Sequence, residues 1–320
     1  MSVVTTPHRI DRTGRVGENA PRPDGIPKVT GDFAFSGDFR HAAMLWGGTL
    51  RSPHPSARIL SVDVSRALAM TGVHAALTWE DVPGSLHYGL EHPDQPVLAD
   101  GVVRYQGEPV AVVAADHPDT VRRALDAIVV DYSELQPLVD PELAEEAPSI
   151  HPDGNLIRRI QLRHGPQEAV GDVVVEGTYE VGMQDQAPLG TESGLAVPDD
   201  RGGVDLYVST QWLHADRDQV AACLGLEPEA VRLTLAGVGG AFGAREDISL
   251  HVHLCLLALR TGRPVKMSYS RTESFHGHVH RHPARMWYRH HARADGTLVR
   301  VEARLLFDGG AYASTGSAVL

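Results

Sequence analysis

The residues best suited to chemistry are Gly237-Val-Gly-Gly-Ala-Phe-Gly-Ala-Arg-Glu246. They follow the β-branched run Val231–Leu235 and precede an apolar-periodic run from Ile248 to Leu259. The pattern predicts strand, glycine loop and helix, with Glu246 in the first helical turn. Glycines at 237, 239, 240 and 243 free the backbone from Cβ clashes, so N–H groups can converge on an anion. The positive end of the following helix would add to that field. Two other readings of the loop stand beside this one. Glycine is the default turn residue, so the segment could be a turn without a ligand. A dinucleotide fingerprint fits poorly, because Phe242 occupies the place of its third glycine. The next strand also lacks a ribose-binding acid.

A second constellation is His276-x-His278-x-His280-x-His282, with His251 and His253 as a further pair. Alternation on a strand would put all four on one face, where zinc or copper accepts imidazole. The plainer reading is an extended segment that tolerates histidine. The cysteines Cys223 and Cys255 sit in apolar helical contexts and read as inert core thiols. Two thiols cannot hold a four-thiolate iron–sulfur cluster, and so low a count fits a reduced, cytoplasmic protein. The formal charge of −12 and the lack of a basic run argue against nucleic-acid binding. No apolar run approaches the ~18 residues of a membrane span.

These groups must be positioned by 320 residues, enough for two domains. Residues 1–23 are polar and read as a flexible N-terminal arm. Residues 24–140 read as short strands with one clear helix, Pro118–Ala127, starting near His117 or Asp119. A strand from Ala42 to Arg51 is expected to bulge at its glycines. Residues 141–154, rich in proline and acid, read as a linker, and few contacts should cross it. Residues 155–320 turn to longer strand–helix units, with a strand pair from Met286 to Phe307 turning at Asp295-Gly296.

The segment Gly-Gly-Ala-Phe-Gly-Ala-Arg-Glu (239–246) resembles the cofactor loop of the xanthine dehydrogenase and aldehyde oxidase family of molybdenum hydroxylases. Ser209-Thr-Gln-Trp212, Arg281-His-Pro-Ala-Arg285 and Asp308-Gly-Gly-Ala-Tyr312 resemble three more landmarks in the family's order. The wording from Gly182 to Arg285 is most similar to molybdenum-binding subunits of bacterial xanthine dehydrogenases. The resemblance implies a mixed α/β (α+β) fold: a hammerhead-like α/β domain over 24–140, then the first part of a molybdopterin-binding domain over 155–320. It implies molybdopterin with molybdenum, in the cytosine dinucleotide form, held by the pterin and by no direct protein ligand. Gln211 would then hydrogen-bond an oxygen on the metal. The backbone of Gly239, Gly240, Ala241, Phe242 and Gly243 would cradle the cofactor, and Glu246 would orient a purine. Glu192 would be a structural or pocket acid. Ala241 and Ala244 replace family glycines and so need ordinary dihedrals, and Arg245 replaces a lysine. Partners would be an iron–sulfur subunit and an FAD subunit in a hetero-oligomer, since this chain holds neither group. The family's general-base glutamate lies beyond the positions present here. The expectation is that this chain alone does not turn over, as a fragment or split subunit. An aldehyde, carbon monoxide or nicotinate hydroxylase remains open.

Overall fold

The computed structural model describes residues 16, 17 and 19–319. Most of the arm expected over 1–23 lies outside the described residues. The body is one seven-stranded mixed sheet. Its order is Val231–Leu235, Val204–Val208, Ser193–Pro198, Val265–Ser268, Leu45–Arg51, Pro109–Ala115 and Val73–Leu77. The first four strands come from the C-terminal half and the last three from the N-terminal half. Leu45 pairs with Val265 and Trp46 with Lys266, in parallel register. Strand pairing therefore joins the two halves into one sheet. The linker segment itself carries no strand, only a 3-10 turn at Pro141–Leu143. A parallel pairing of residues 220 positions apart has no local signature in the sequence.

Glycines let the layers close. A Cβ on Gly47 would lie 2.7 Å from Met267 Cγ, and one on Gly48 would lie 2.5 Å from Val121 Cγ1. The Leu45–Arg51 strand runs regularly through both, and its register shifts at Leu50/Arg51 instead of at the expected glycine bulge. The glycines serve close approach, which is why no extra residue is needed there. Pro109–Ala115 is buried along its whole length, covered on both faces. The helix Pro118–Ala127 starts as expected, with the His117 ring accepting the Asp119 N–H at 3.2 Å. The helix His251–Thr261 is apolar nearly all round, and His251 to Ala258 are all buried. Its Leu254 and Leu257 join Leu45, Leu206 and Met267 in the main core. Each such side chain contributes about 1.5–3 kcal/mol by leaving water.

A separate three-stranded antiparallel sheet joins Val173–Val181, Ala284–Ala292 and Leu298–Phe307. Its hairpin turns where expected, with Gly296 at φ +89° and Asp295 Oδ1 accepting the Thr297 N–H at 2.9 Å. The segment Phe33–Arg40 crosses the C-terminal half as a strap. Phe35 bridges Gly237, and Lys266 Nζ donates to the carbonyls of Gly37 and Phe39.

Candidate functional site

Two adjacent parallel strands, Val204–Val208 and Val231–Leu235, deliver their following loops to the same edge. Each residue of Ser209-Thr210-Gln211 is then fixed differently. The Ser209 hydroxyl donates to the Gly237 carbonyl at 3.0 Å, beside Ser36. The Thr210 hydroxyl donates to buried Asp216 in the helix Leu213–Leu224. Burial first, then the nearby Asp247 charge, push the Asp216 carboxyl up to about 6 against that hydrogen bond. The Gln211 N–H donates to the Arg245 carbonyl at 3.0 Å, leaving the exposed amide side chain free. That bond joins Gln211 to the residue preceding Glu246.

The glycine loop has the backbone the sequence suggested, with one addition. Gly240 and Gly243 hold φ of +122° and +94°, while Ala241 and Ala244 stay out of the left-handed region. Phe242 enters it, at φ +55°, and is 77% exposed. Among the described residues no backbone N–H from Gly239 to Gly243 is taken by another protein group. Free amides at an open, glycine-lined turn suit an anionic ligand. Behind the loop, Arg245 is buried and ion-paired with Glu192, and its Nη2 donates to the Gly190 carbonyl at 2.7 Å. Glu246 is half-buried beside it.

Two expectations need correction. The helix does not begin at Glu246 but at His251. Asp247 Oδ1 takes the Ile248 N–H at 2.9 Å and the His251 ring takes that of Ser249, so a turn delays the first helical residue. The helix dipole is thus set back from the loop. The histidine row also breaks up. His276 lies in the last turn of the helix Arg271–Gly277, whereas His278 and His280 lie beyond it in irregular chain. Helix and extended backbone have different periods, so the alternation does not place four rings on one face. His251 and His253 are core residues, pushed down to about 3 and about 4 chiefly by burial. His253 Nε2 donates to the Val97 carbonyl at 2.7 Å.

Cys223 and Cys255 are buried free thiols, and burial pushes Cys223 up to about 12. A wide cleft of about 1030 Å³ runs between residues 138–163 and the Val301–Tyr312 stretch, and Gln211, Phe242 and Glu246 do not line it. Sequence reading missed the partners that hold the site. The Glu192–Arg245 pair spans 53 positions. The Tyr312 hydroxyl donates to Glu108 across 204 positions, tying the Asp308–Tyr312 landmark to the N-terminal half. Buried charge in an apolar context was the available signal, but the partner was not readable.

The fold is mixed α/β, with an open glycine loop beside a Ser-Thr-Gln turn and a buried Glu–Arg brace behind it. Residues 151–320 match the model of the molybdopterin cofactor-binding domain, and residues 30–136 match the aldehyde oxidase and xanthine dehydrogenase a/b hammerhead domain. The chain belongs to this molybdenum hydroxylase family. It is 39% identical over 304 residues to a probable xanthine dehydrogenase subunit of Bacillus subtilis (strain 168), covering 93% of this chain and 41% of that one. It is also 39% identical to the nicotinate dehydrogenase large molybdopterin subunit of Eubacterium barkeri, covering 95% of this chain and 73% of that one. Among solved structures, the aldehyde oxidoreductase from Desulfovibrio gigas superposes with a TM-score of 0.84 at 29% identity, over 90% of this chain and 34% of that one. The chain thus spans well under half of the first and third of these relatives. Among the described residues no helix is long and apolar enough to cross a membrane.

Proposed function

We propose that this chain is the molybdenum-cofactor-binding portion of a purine hydroxylase, converting hypoxanthine and xanthine to urate with oxygen from water. The observation that supports the reading is the main-chain bond from Gln211 to Arg245, which links Gln211 to the residue preceding Glu246 next to the glycine loop. The amides Gly239 to Gly243 would hold the pterin, in a cytosine dinucleotide form. Gln211 would donate from its side-chain amide toward the metal's oxygen without adding charge. Glu246 would accept from or donate to the ring of the purine and fix its face. The bound molybdenum would supply the two-electron oxidation, with electrons leaving through iron–sulfur and FAD partner subunits.

A second reading concerns the substrate. The nicotinate dehydrogenase subunit is as similar as the xanthine dehydrogenase subunit, and it is the shorter of the two. Equal similarity supports a nitrogen heterocycle such as nicotinate as well as a purine. Glu246→Ala in the assembled protein tests both readings. Removing a well-aimed polar contact should lower kcat/KM on xanthine by about 30- to 1000-fold, the equivalent of 2–4 kcal/mol, at unchanged molybdenum content. Unchanged purine kinetics would refute the orienting role. Nicotinate turnover exceeding that of xanthine in the unmutated protein would favour the second reading.

A further inference from the structure

Among the described residues, a cluster of metal-ligating side chains lies where the 183–188 segment meets the 278–282 segment. Arg281 N–H donates to the Gln184 carbonyl at 3.1 Å, forming an isolated antiparallel bridge. This contact brings Asp185 under two histidine rings that are stacked with centroids 4.8 Å apart and planes 23° from parallel. The Nε2 atoms of His278 and His280 each stand 3.0 Å from the same oxygen, Asp185 Oδ2, and that of His280 donates a hydrogen bond to it. The three side chains are 2%, 15% and 14% exposed for His278, His280 and Asp185.

The outer atoms of the cluster are already committed. His278 Nδ1 lies 2.7 Å from the Val279 carbonyl, so it carries a proton and donates. Asp185 Oδ1 accepts the Ala187 N–H. With Nδ1 donating, Nε2 is the His278 atom that can present a lone pair to a ligand. That atom makes no hydrogen bond, although the carboxylate is within contact distance. Its approach is off the line a hydrogen bond requires, as two ligands of one ion approach each other. Two acceptors pressed together out of water repel unless a cation lies between them. An ion bound here would take the place of the proton that His280 Nε2 donates to the carboxylate.

We propose that Asp185, His278 and His280 form a divalent transition-metal site, best suited to zinc, with His278 Nε2, His280 Nε2 and Asp185 Oδ2 as ligands. All three ligand atoms lie within 4.8 Å of one another. Neighbouring ligands of a tetrahedral zinc ion sit about 3.3 Å apart, so the 3.0 Å separations need to open only slightly. The Val279 carbonyl on Nδ1 and the Ala187 amide on Oδ1 are the outer contacts that orient a metal's histidine and carboxylate ligands. Water would complete the fourth position. The site is separate from the pterin-held metal and does not depend on the purine reading. Its consequence is mechanical. Gln186 and Pro188, in the 183–188 segment, lie against Gly243 and Gly240, so an ion here would brace one wall of the glycine loop.

Zinc chloride titrated into the chelator-treated protein tests this, read by competition with a chromophoric chelator. The expected result is one equivalent bound at micromolar Kd or tighter. Asp185→Asn and His280→Ala should each weaken binding at least tenfold, while His214→Ala, on the exposed side of another helix, should leave it unchanged. Zinc binding no tighter than ~100 μM, or equal binding in both site variants, would overturn the proposal. Should a variant fail to fold, cobalt(II) added to the unmutated protein decides. Intense tetrahedral visible absorption supports the site, and the weak absorption of hydrated cobalt overturns it.

Discussion

Glu192→Gln should expose how the glycine loop is held from behind. Glu192 is 1% exposed and Arg245 8%, so their ion pair is shielded from water and salt. Replacing the carboxylate with an amide preserves shape but leaves a guanidinium charge buried without a counter-ion. Removing one partner of such a pair costs about 3–5 kcal/mol. The Gly190 carbonyl still accepts from Nη2 at 2.7 Å, so the lower end, about 3 kcal/mol, is expected. Urea unfolding should show a reduced midpoint at unchanged slope. The double variant Glu192→Gln/Arg245→Met removes the orphaned charge and should recover about 2 kcal/mol of the loss. Because the Arg245 carbonyl also takes the Gln211 N–H, cofactor content should fall in the single variant more than in the double. A single variant within about 0.5 kcal/mol of the parent, or strictly additive effects, would refute the brace.

Gly237→Ala would place a methyl 1.9 Å from the Phe33 ring, so the Phe33–Arg40 strap must lift. A loss of about 1–3 kcal/mol is expected, with faster proteolysis in that strap as the specific readout. Glu108→Gln should change the pH dependence of stability. Burial, opposed by the Tyr312 hydrogen bond, raises the Glu108 carboxyl to about 7 in the folded state. The native state then binds more protons than the unfolded state between the ordinary carboxylate pKa and about 7. Its contribution is present at the acid end and is lost as pH rises through that window. The variant should therefore lose less stability than the parent from pH 5 to pH 7, and identical slopes would contradict this.

The sequence by itself determined the features whose causes are local. The helix Pro118–Ala127 and its His117 start, the Asp295-Gly296 hairpin and the unstrained Ala241 and Ala244 follow from groups a few residues apart. The order of landmarks around Gly239–Glu246 was legible for the same reason, since a backbone cradle is written in consecutive residues. Only the tertiary structure decided that strands from both halves share one sheet, because Leu45 and Val265 meet through long-range pairing that leaves no local mark. It also decided that Arg245 answers Glu192 and that Tyr312 answers Glu108. It split a regular histidine row into a helix end, an Asp185 cluster and a separate His282. Spacing assumes one backbone period, and the change from helix to extended chain after Gly277 came from packing that spacing cannot encode.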